Sequence, residues 1–205
     1  MTERTGRRRV VANLAITMDG YYQGPGGRGD LAAMRDYVPF AEAGYEQIAT
    51  TIQTATTAVL GRVNAEGFLS YWPTTIDDET VDPRDRAYAR WLVGAEKVVL
   101  SSSLKESPWE GVRIVDAPAP DVIAELKTTG EGDIFVNHSA SVIKALLAAD
   151  AIDRLNLVIA PVISGDGSRL FVEGLPGSRW TLQHHFAGDP AGTLALTYDR
   201  QRDLS

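Results

Sequence analysis

The 205-residue chain has no cysteine, only three histidines, and no apolar run approaching the ~20 residues that span a bilayer. The missing thiols exclude disulfides, thiolate metal sites and a cysteine nucleophile, and they suit a cytoplasmic protein. Basic charge is also short. The net charge of −7 gives no global attraction for nucleic acid or anionic lipid. A phosphate-bearing ligand must therefore be gripped by local arginines and backbone N–H groups. His184 and His185 are neighbours in an alternating segment, where adjacent side chains diverge, so they do not share a metal and no metal site is expected. No repeat, low-complexity tract or long linker divides the chain, and one domain over residues 1–205 is expected.

The start, "MTERTGRRRVVANLAITMDG", has the look of a twin-arginine export signal. Its apolar stretch alternates like a strand, however, and no small-residue cleavage site follows. Arg7, Arg8 and Arg9 read as a solvated lead-in to a buried strand over 10–17. The loop 19–30 holds five glycines and a proline. Residues 31–55 carry helical spacing, interrupted near Pro39. Strands are expected in "TTAVLGR", "KVVLSSSL", "GVRIVD", 133–136 and "LNLVIAPVI", and helices in "VDPRDRAYARWLVGA", "PDVIAELKTT" and 139–149. The tail reads as a hairpin whose turn contains "GDPAG".

This alternation predicts a three-layer α/β/α domain around a mostly parallel, mixed sheet, closed by a C-terminal antiparallel hairpin. Ligands in such sheets sit off the carboxyl ends of the strands. The unusual sequence lies at those ends: Gly61-Arg62, Ser101-Ser102-Ser103 and Asn137-His138-Ser139 should face one crevice.

In that order the pieces resemble the dihydrofolate-reductase-like superfamily, especially the bacterial branch that includes the C-terminal reductase domain of the riboflavin-biosynthesis deaminase-reductase. The resemblance covers about residues 9–200. It implies that the backbone at Ala15 lines a nicotinamide and that the loop after Asp19-Gly20 closes over it. It also implies that Gly61, Arg62, Val63 and Asn64 cradle pyrophosphate and meet a 2′-phosphate, while Ser101, Ser102 and Ser103 contact that phosphate. Asn137, His138, Ser139, Ala140, Ser141 and Val142 would form the second pyrophosphate turn, and the loop "GDGSRLF" would lie against the mobile one. Asp30 resembles the acid that assists protonation, with Asp19 competing for the role, and Tyr22 and Met18 are assigned to the substrate.

The function implied is an NADPH-dependent reductase of a small heterocyclic or polyol-phosphate substrate, either 5-amino-6-(5-phosphoribosylamino)uracil reductase-like or dihydrofolate reductase-like. A small-molecule substrate and a homodimer are expected, without nucleic acid or membrane partners. The residues alone also admit blander readings. Gly61-Arg62 can be an ordinary turn, the serine triplet a cap, and Asp30 a helix N-cap. A non-catalytic, repurposed binding protein of the same fold stays open as the alternative. His138 departs from the family's glycines at a turn where φ > 0 is needed, although histidine tolerates that region better than most residues.

Overall fold

The computed structural model describes residues 8–27, 29–32, 34, 42–187 and 192–202. Eight strands form one sheet. Five of its pairings are parallel: β1 (Val10–Thr17) with β6 (Asp133–Asn137) and β7 (Arg154–Ala160), β3 (Ala55–Gly61) with β4 (Glu96–Leu100) and β6, and β4 with β5 (Val112–Val115). The C-terminal hairpin, β9 (Arg179–Phe186) and β10 (Leu194–Gln201), joins antiparallel to β7 through β10. The order across the sheet is β5-β4-β3-β6-β1-β7-β10-β9, which places β1 near the centre. Residues 188–191 of the expected hairpin turn lie outside the described residues.

Strand periodicity divides the core. Val10, Ala12, Leu14 and Ile16 of β1 face a cluster with α4 (Ala119–Thr128) and α5 (Ala140–Ala148), whereas Val11 faces α2 (Arg62–Tyr71) and α3 (Pro83–Gly94). Phe135 and its neighbours Ile134 and Val136 split the same way on β6. This is the three-layer arrangement expected. α1 (Glu42–Ile52) carries Ile48 and Ile52 onto the α2–α3 side. The helical spacing from residue 31 is not realised over Leu31–Met34, which form a turn closed by Met34 N–H to the Leu31 carbonyl at 2.9 Å. Residues 33 and 35–41 fall outside the described residues. Two strands too short to show a period, β2 (Tyr21–Gln23) and β8 (Ser168–Arg169), pair separately. Among the described residues no helix is long and apolar enough to cross a membrane.

Arg8 and Arg9 are not a solvated lead-in, and Arg7 lies outside the described residues. Arg8 is 6 % exposed, and its guanidinium donates to the carbonyls of Leu126 (2.8 Å), Thr129 (2.6 Å) and Gly132 (2.9 Å) and to Thr57 Oγ1 (2.5 Å). It thereby satisfies the orphan carbonyls at the end of α4, where a cation also complements the helix dipole. Arg9 pairs with Asp133 at 2.7 Å, at the start of β6. The charge that looks superfluous in sequence closes a helix end more than a hundred residues away.

Arg8→Met should therefore cost about 3 kcal/mol, because several buried carbonyls lose a charged donor. In thermal unfolding this corresponds to a fall of roughly 6–12 °C for a chain of this size.

Candidate functional site

The chain reversals after β3, β4 and β6 meet. Gly61, Arg62, Val63, Ser101, Ser102, Ser103, Ser141 and Val142 line one cleft of about 460 Å³, joined by Val115, Asp116 and Ala117 from the end of β5. The joint behind it is Ser139, which is 3 % exposed. Its Oγ accepts from the Gly61 N–H at 3.1 Å and donates to Asn64 Oδ1 at 3.3 Å. One hydroxyl thus ties the β3–α2 turn to the β6–α5 turn.

That use of Ser139 has a consequence for both helices. Ser139 is the N-cap of α5 but makes no side-chain cap bond, and Gly61, the N-cap of α2, has no side chain to make one. Neither helix start is therefore closed by a side chain, and the positive ends of both dipoles lie at the same cleft, the Ala140 N–H being bonded to the His138 carbonyl at 3.1 Å. A Cβ on Gly61 would meet Ser141 Oγ and Val142 Cγ2, each at 3.4 Å, so glycine keeps the gap between the two helix starts open.

The serine triplet divides its labour. Ser101 is buried, and its Oγ accepts from the N–H groups of Ser103 (3.2 Å) and Leu104 (3.0 Å), which makes it the cap. Ser102 and Ser103 are exposed on the cleft. Arg62 lines the cleft and forms an ion pair with Glu66, one helical turn on. Ala140 packs half-buried at the start of α5.

His138 takes φ = +53°, the left-handed conformation the turn requires. Its backbone N–H donates to the Asn13 carbonyl at 2.9 Å, and its ring lies 6.2 Å from that of Phe68 on α2; neither residue is among those lining the cleft. Asn137 is buried beside it. Asn13 Nδ2 donates to Asn137 Oδ1 (2.8 Å), and Asn137 Nδ2 donates to the Tyr88 hydroxyl (3.1 Å). Asn137 Oδ1 is therefore an acceptor, so His138 Nδ1, 2.7 Å away, must carry the proton. Desolvation lowers the pKa of this imidazole to about 4, and it is neutral at ordinary pH.

β6 leaves the sheet at Asn137, paired with Asn13, while β1 continues to Thr17. The Asn13 carbonyl points toward β6, where it meets His138, and the Ala15 carbonyl, two residues on, points the same way beyond the last β6 pairing. Ala15 itself is buried, packed with Met34, Val158 and Ala160, and no β1 residue is among those lining the cleft.

The remaining candidates separate. Asp19 accepts from Thr17 Oγ1 (2.6 Å) and from the N–H groups of Ser164 (3.0 Å) and Gly165 (2.8 Å). Those bonds, the Thr17 hydroxyl foremost, hold its pKa down to about 2. It clamps the β1–β2 loop to the 164–167 loop. The two loops meet again in the β2–β8 pair, and a Cβ at Gly167 would lie 2.1 Å from the Gln23 carbonyl. Asp30 is neither a helix N-cap nor buried. Its carboxylate accepts from Gly26 N–H (2.9 Å) and Ala32 N–H (3.1 Å), within its own loop. Tyr22 packs against the α4–α5 core, and Tyr21 lies under Arg169, whose guanidinium is 4.7 Å from the ring centre. Met18 is 58 % exposed at the end of β1, bonded through its N–H to the Val162 carbonyl. Asp116 went unnoticed in the sequence. A lone acid after a strand has no motif, although its place at a carboxyl strand end is the signal that marked the other three segments. A second cavity, of about 310 Å³, opens at the amino ends of β1 and β7, but its cations are paired, Arg9 with Asp133 and Arg154 with Asp199.

The family model of the RibD C-terminal domain matches residues 8–193. The chain belongs to the RibD C-terminal domain family. A relative within reach of sequence comparison is the uncharacterized protein YyaP of Bacillus subtilis (strain 168), 25 % identical over 173 residues that cover 84 % of this chain and 85 % of YyaP. The crystal structure of a putative riboflavin biosynthesis protein from Shewanella sp. PV-4 superposes with a TM-score of 0.69 at 21 % identity, covering 95 % and 99 % of the two chains. An Enterococcus faecalis dihydrofolate reductase complexed with NADP(H) superposes with a TM-score of 0.59 at 17 % identity, covering 95 % and 97 %. The fold of this RibD C-terminal domain is thus dihydrofolate-reductase-like, with its mixed, mostly parallel sheet and terminal hairpin.

Two measurements probe this geometry. Gly61 has φ −76° and ψ 152°, which any L-residue adopts. Gly61→Ala should keep or slightly raise the melting temperature, since the unfolded chain loses freedom worth about 0.4–1 kcal/mol. It should also fill the gap between the helix starts and weaken anion binding there at least about tenfold, read by calorimetry. For His138 the folded pKa of about 4 lies below the unfolded value, so the unfolded chain takes up the proton first as pH falls. Stability from the neutral ring is complete above about pH 6.5 and is lost between there and pH 4. Denaturant titrations of wild type and His138→Gly should converge by about 2 kcal/mol over that window, the carboxylates cancelling in the difference.

Proposed function

We propose that this protein is an NADPH-dependent reductase acting on a small heterocyclic or polyol-phosphate substrate. The observation that carries the reading is the pair of uncapped helix N-termini, stapled by Ser139 and opening on one cleft with Ser102, Ser103 and Arg62. These residues fit a phosphorylated dinucleotide. The backbone N–H groups of Arg62 and Val63 and those at the start of α5 would take the pyrophosphate, and the serine hydroxyls and Arg62 the adenosine end. The backbone of β1 at Ala15 would align the nicotinamide. When bound, such a cofactor supplies a hydride to the substrate. The chain's own contribution is then position: the sheet edge fixes one reactant, and the loops clamped by Asp19 cover the other. Asp30 has both oxygens engaged in its own loop and would exchange a proton with substrate only after those bonds open.

One observation favours a second reading, a repurposed binding protein of the same fold: neither Asp19 nor Asp30 lines the cleft. A homodimer belongs to the main proposal, with β9, the outer strand of the sheet and largely exposed, as the surface a second copy would cover. Light scattering at micromolar concentration tests it.

The cofactor reading is checked by thermal shift with NADPH. At a hundredfold excess over Kd, binding should add about 2.7 kcal/mol, or roughly 5–10 °C. Absence of any shift with reduced dinucleotides would remove the proposal. Binding without turnover across reductase substrates of both classes would favour the second reading.

A further inference from the structure

The cleft's charges are balanced in a way that bears on which dinucleotide it takes. Two cations stand at its serine end, and each already has an acid. Arg62 is paired with Glu66 on α2. Lys105 Nζ lies 3.8 Å from Asp116 Oδ2 and donates to the Ser102 carbonyl at 3.2 Å. Asp116 is not incidental to the cleft. It directly follows β5, it lines the wall, and the Ser101 N–H is bonded to the Val115 carbonyl at 3.0 Å, which holds the serine turn against it. The four side chains sum to zero, in a chain whose net charge is −7.

A 2′-phosphate brings a charge of about −1.5 to −2 and gains little from a balanced set of this kind. A free ribose 2′-hydroxyl is a hydrogen-bond donor, and an acidic side chain at the carboxyl end of a strand is the acceptor that general nucleotide recognition uses for it. Resting on the dinucleotide reading above, we propose that this cleft binds NADH nearly as well as NADPH, and that Asp116 is the residue that sets the balance. Its carboxylate both repels the 2′-phosphate and detains Lys105. The Lys105–Asp116 pair is solvent-exposed, with side chains 78 % and 60 % accessible, so little holds the lysine once the acid is gone.

Calorimetric titration of the intact chain with NADPH and NADH in separate cells tests this. Wild type should bind both, with affinities within about tenfold of each other. Asp116→Asn should tighten NADPH about five- to tenfold and leave NADH unchanged or weaker, and the gain should shrink between low and high salt. Lys105→Gln should move NADPH the opposite way without touching NADH. A wild-type preference for NADPH beyond about a hundredfold, or an affinity ratio indifferent to Asp116→Asn, overturns the inference while leaving the reductase reading in place. Failure of wild type to bind either dinucleotide overturns both.

Discussion

The hydrogen bond from the Gly61 N–H to Ser139 Oγ is the constraint on which the site depends. Two strand-to-helix turns, seventy-eight residues apart in sequence, are held at a fixed separation by a single hydroxyl. Because that hydroxyl is committed to the neighbouring turn, it is withdrawn from its own helix, and the partner turn offers only a glycine. Both helices begin uncapped. Two other helix ends are closed by side chains: Asp82 accepts from the Arg84 N–H at the start of α3, and Arg8 covers the end of α4, whose own start at Pro118 has no side-chain cap.

Around that staple the backbone accepts an unfavourable conformation. A left-handed turn is needed after β6, and His138 supplies it at the cost of a Cβ in a region most residues avoid. The surrounding hydrogen bonds hold it there: Tyr88 to Asn137, Asn137 to Asn13 and to the His138 ring, and the His138 N–H to the Asn13 carbonyl. Burial raises the Tyr88 phenol pKa, so the network is neutral throughout. The imidazole is a structural solution to a turn, and it takes no part in the lining of the cleft.

Much of this was legible in the sequence, for a physical reason. Strands buried on both faces are continuous apolar runs, helices on a sheet carry a 3.6-residue stripe, and parallel sheets place their chain reversals at one edge, so Gly61-Arg62 and Ser101–Ser103 could be assigned to a common crevice, which the β6–α5 turn lines with Ser141 and Val142 rather than with Asn137–Ser139. The division of labour among them was not legible. Composition does not distinguish Ser101, whose hydroxyl caps a turn, from Ser102, which faces solvent, nor Ser139, which staples, from Ser141, which lines the cleft. Arg8 was misjudged because its partners are carbonyls far along the chain, and a backbone acceptor leaves no mark in sequence. Leu31 and Met34 carry helical spacing yet sit in a turn, since local periodicity yields to the loop that Asp30 folds back on itself.

The location of β1 has a further meaning for how the molecule comes into being. The strand is synthesised well before β6 and β7, whose residues lie at 133–137 and 154–160, yet it sits between them. Arg8, just ahead of it, waits for carbonyls at 126, 129 and 132. This apolar strand must therefore stay without its sheet partners until more than a hundred further residues have been made, a long interval of exposed edge during vectorial synthesis. The middle of the finished sheet is thus closed by strands made long after the one they enclose.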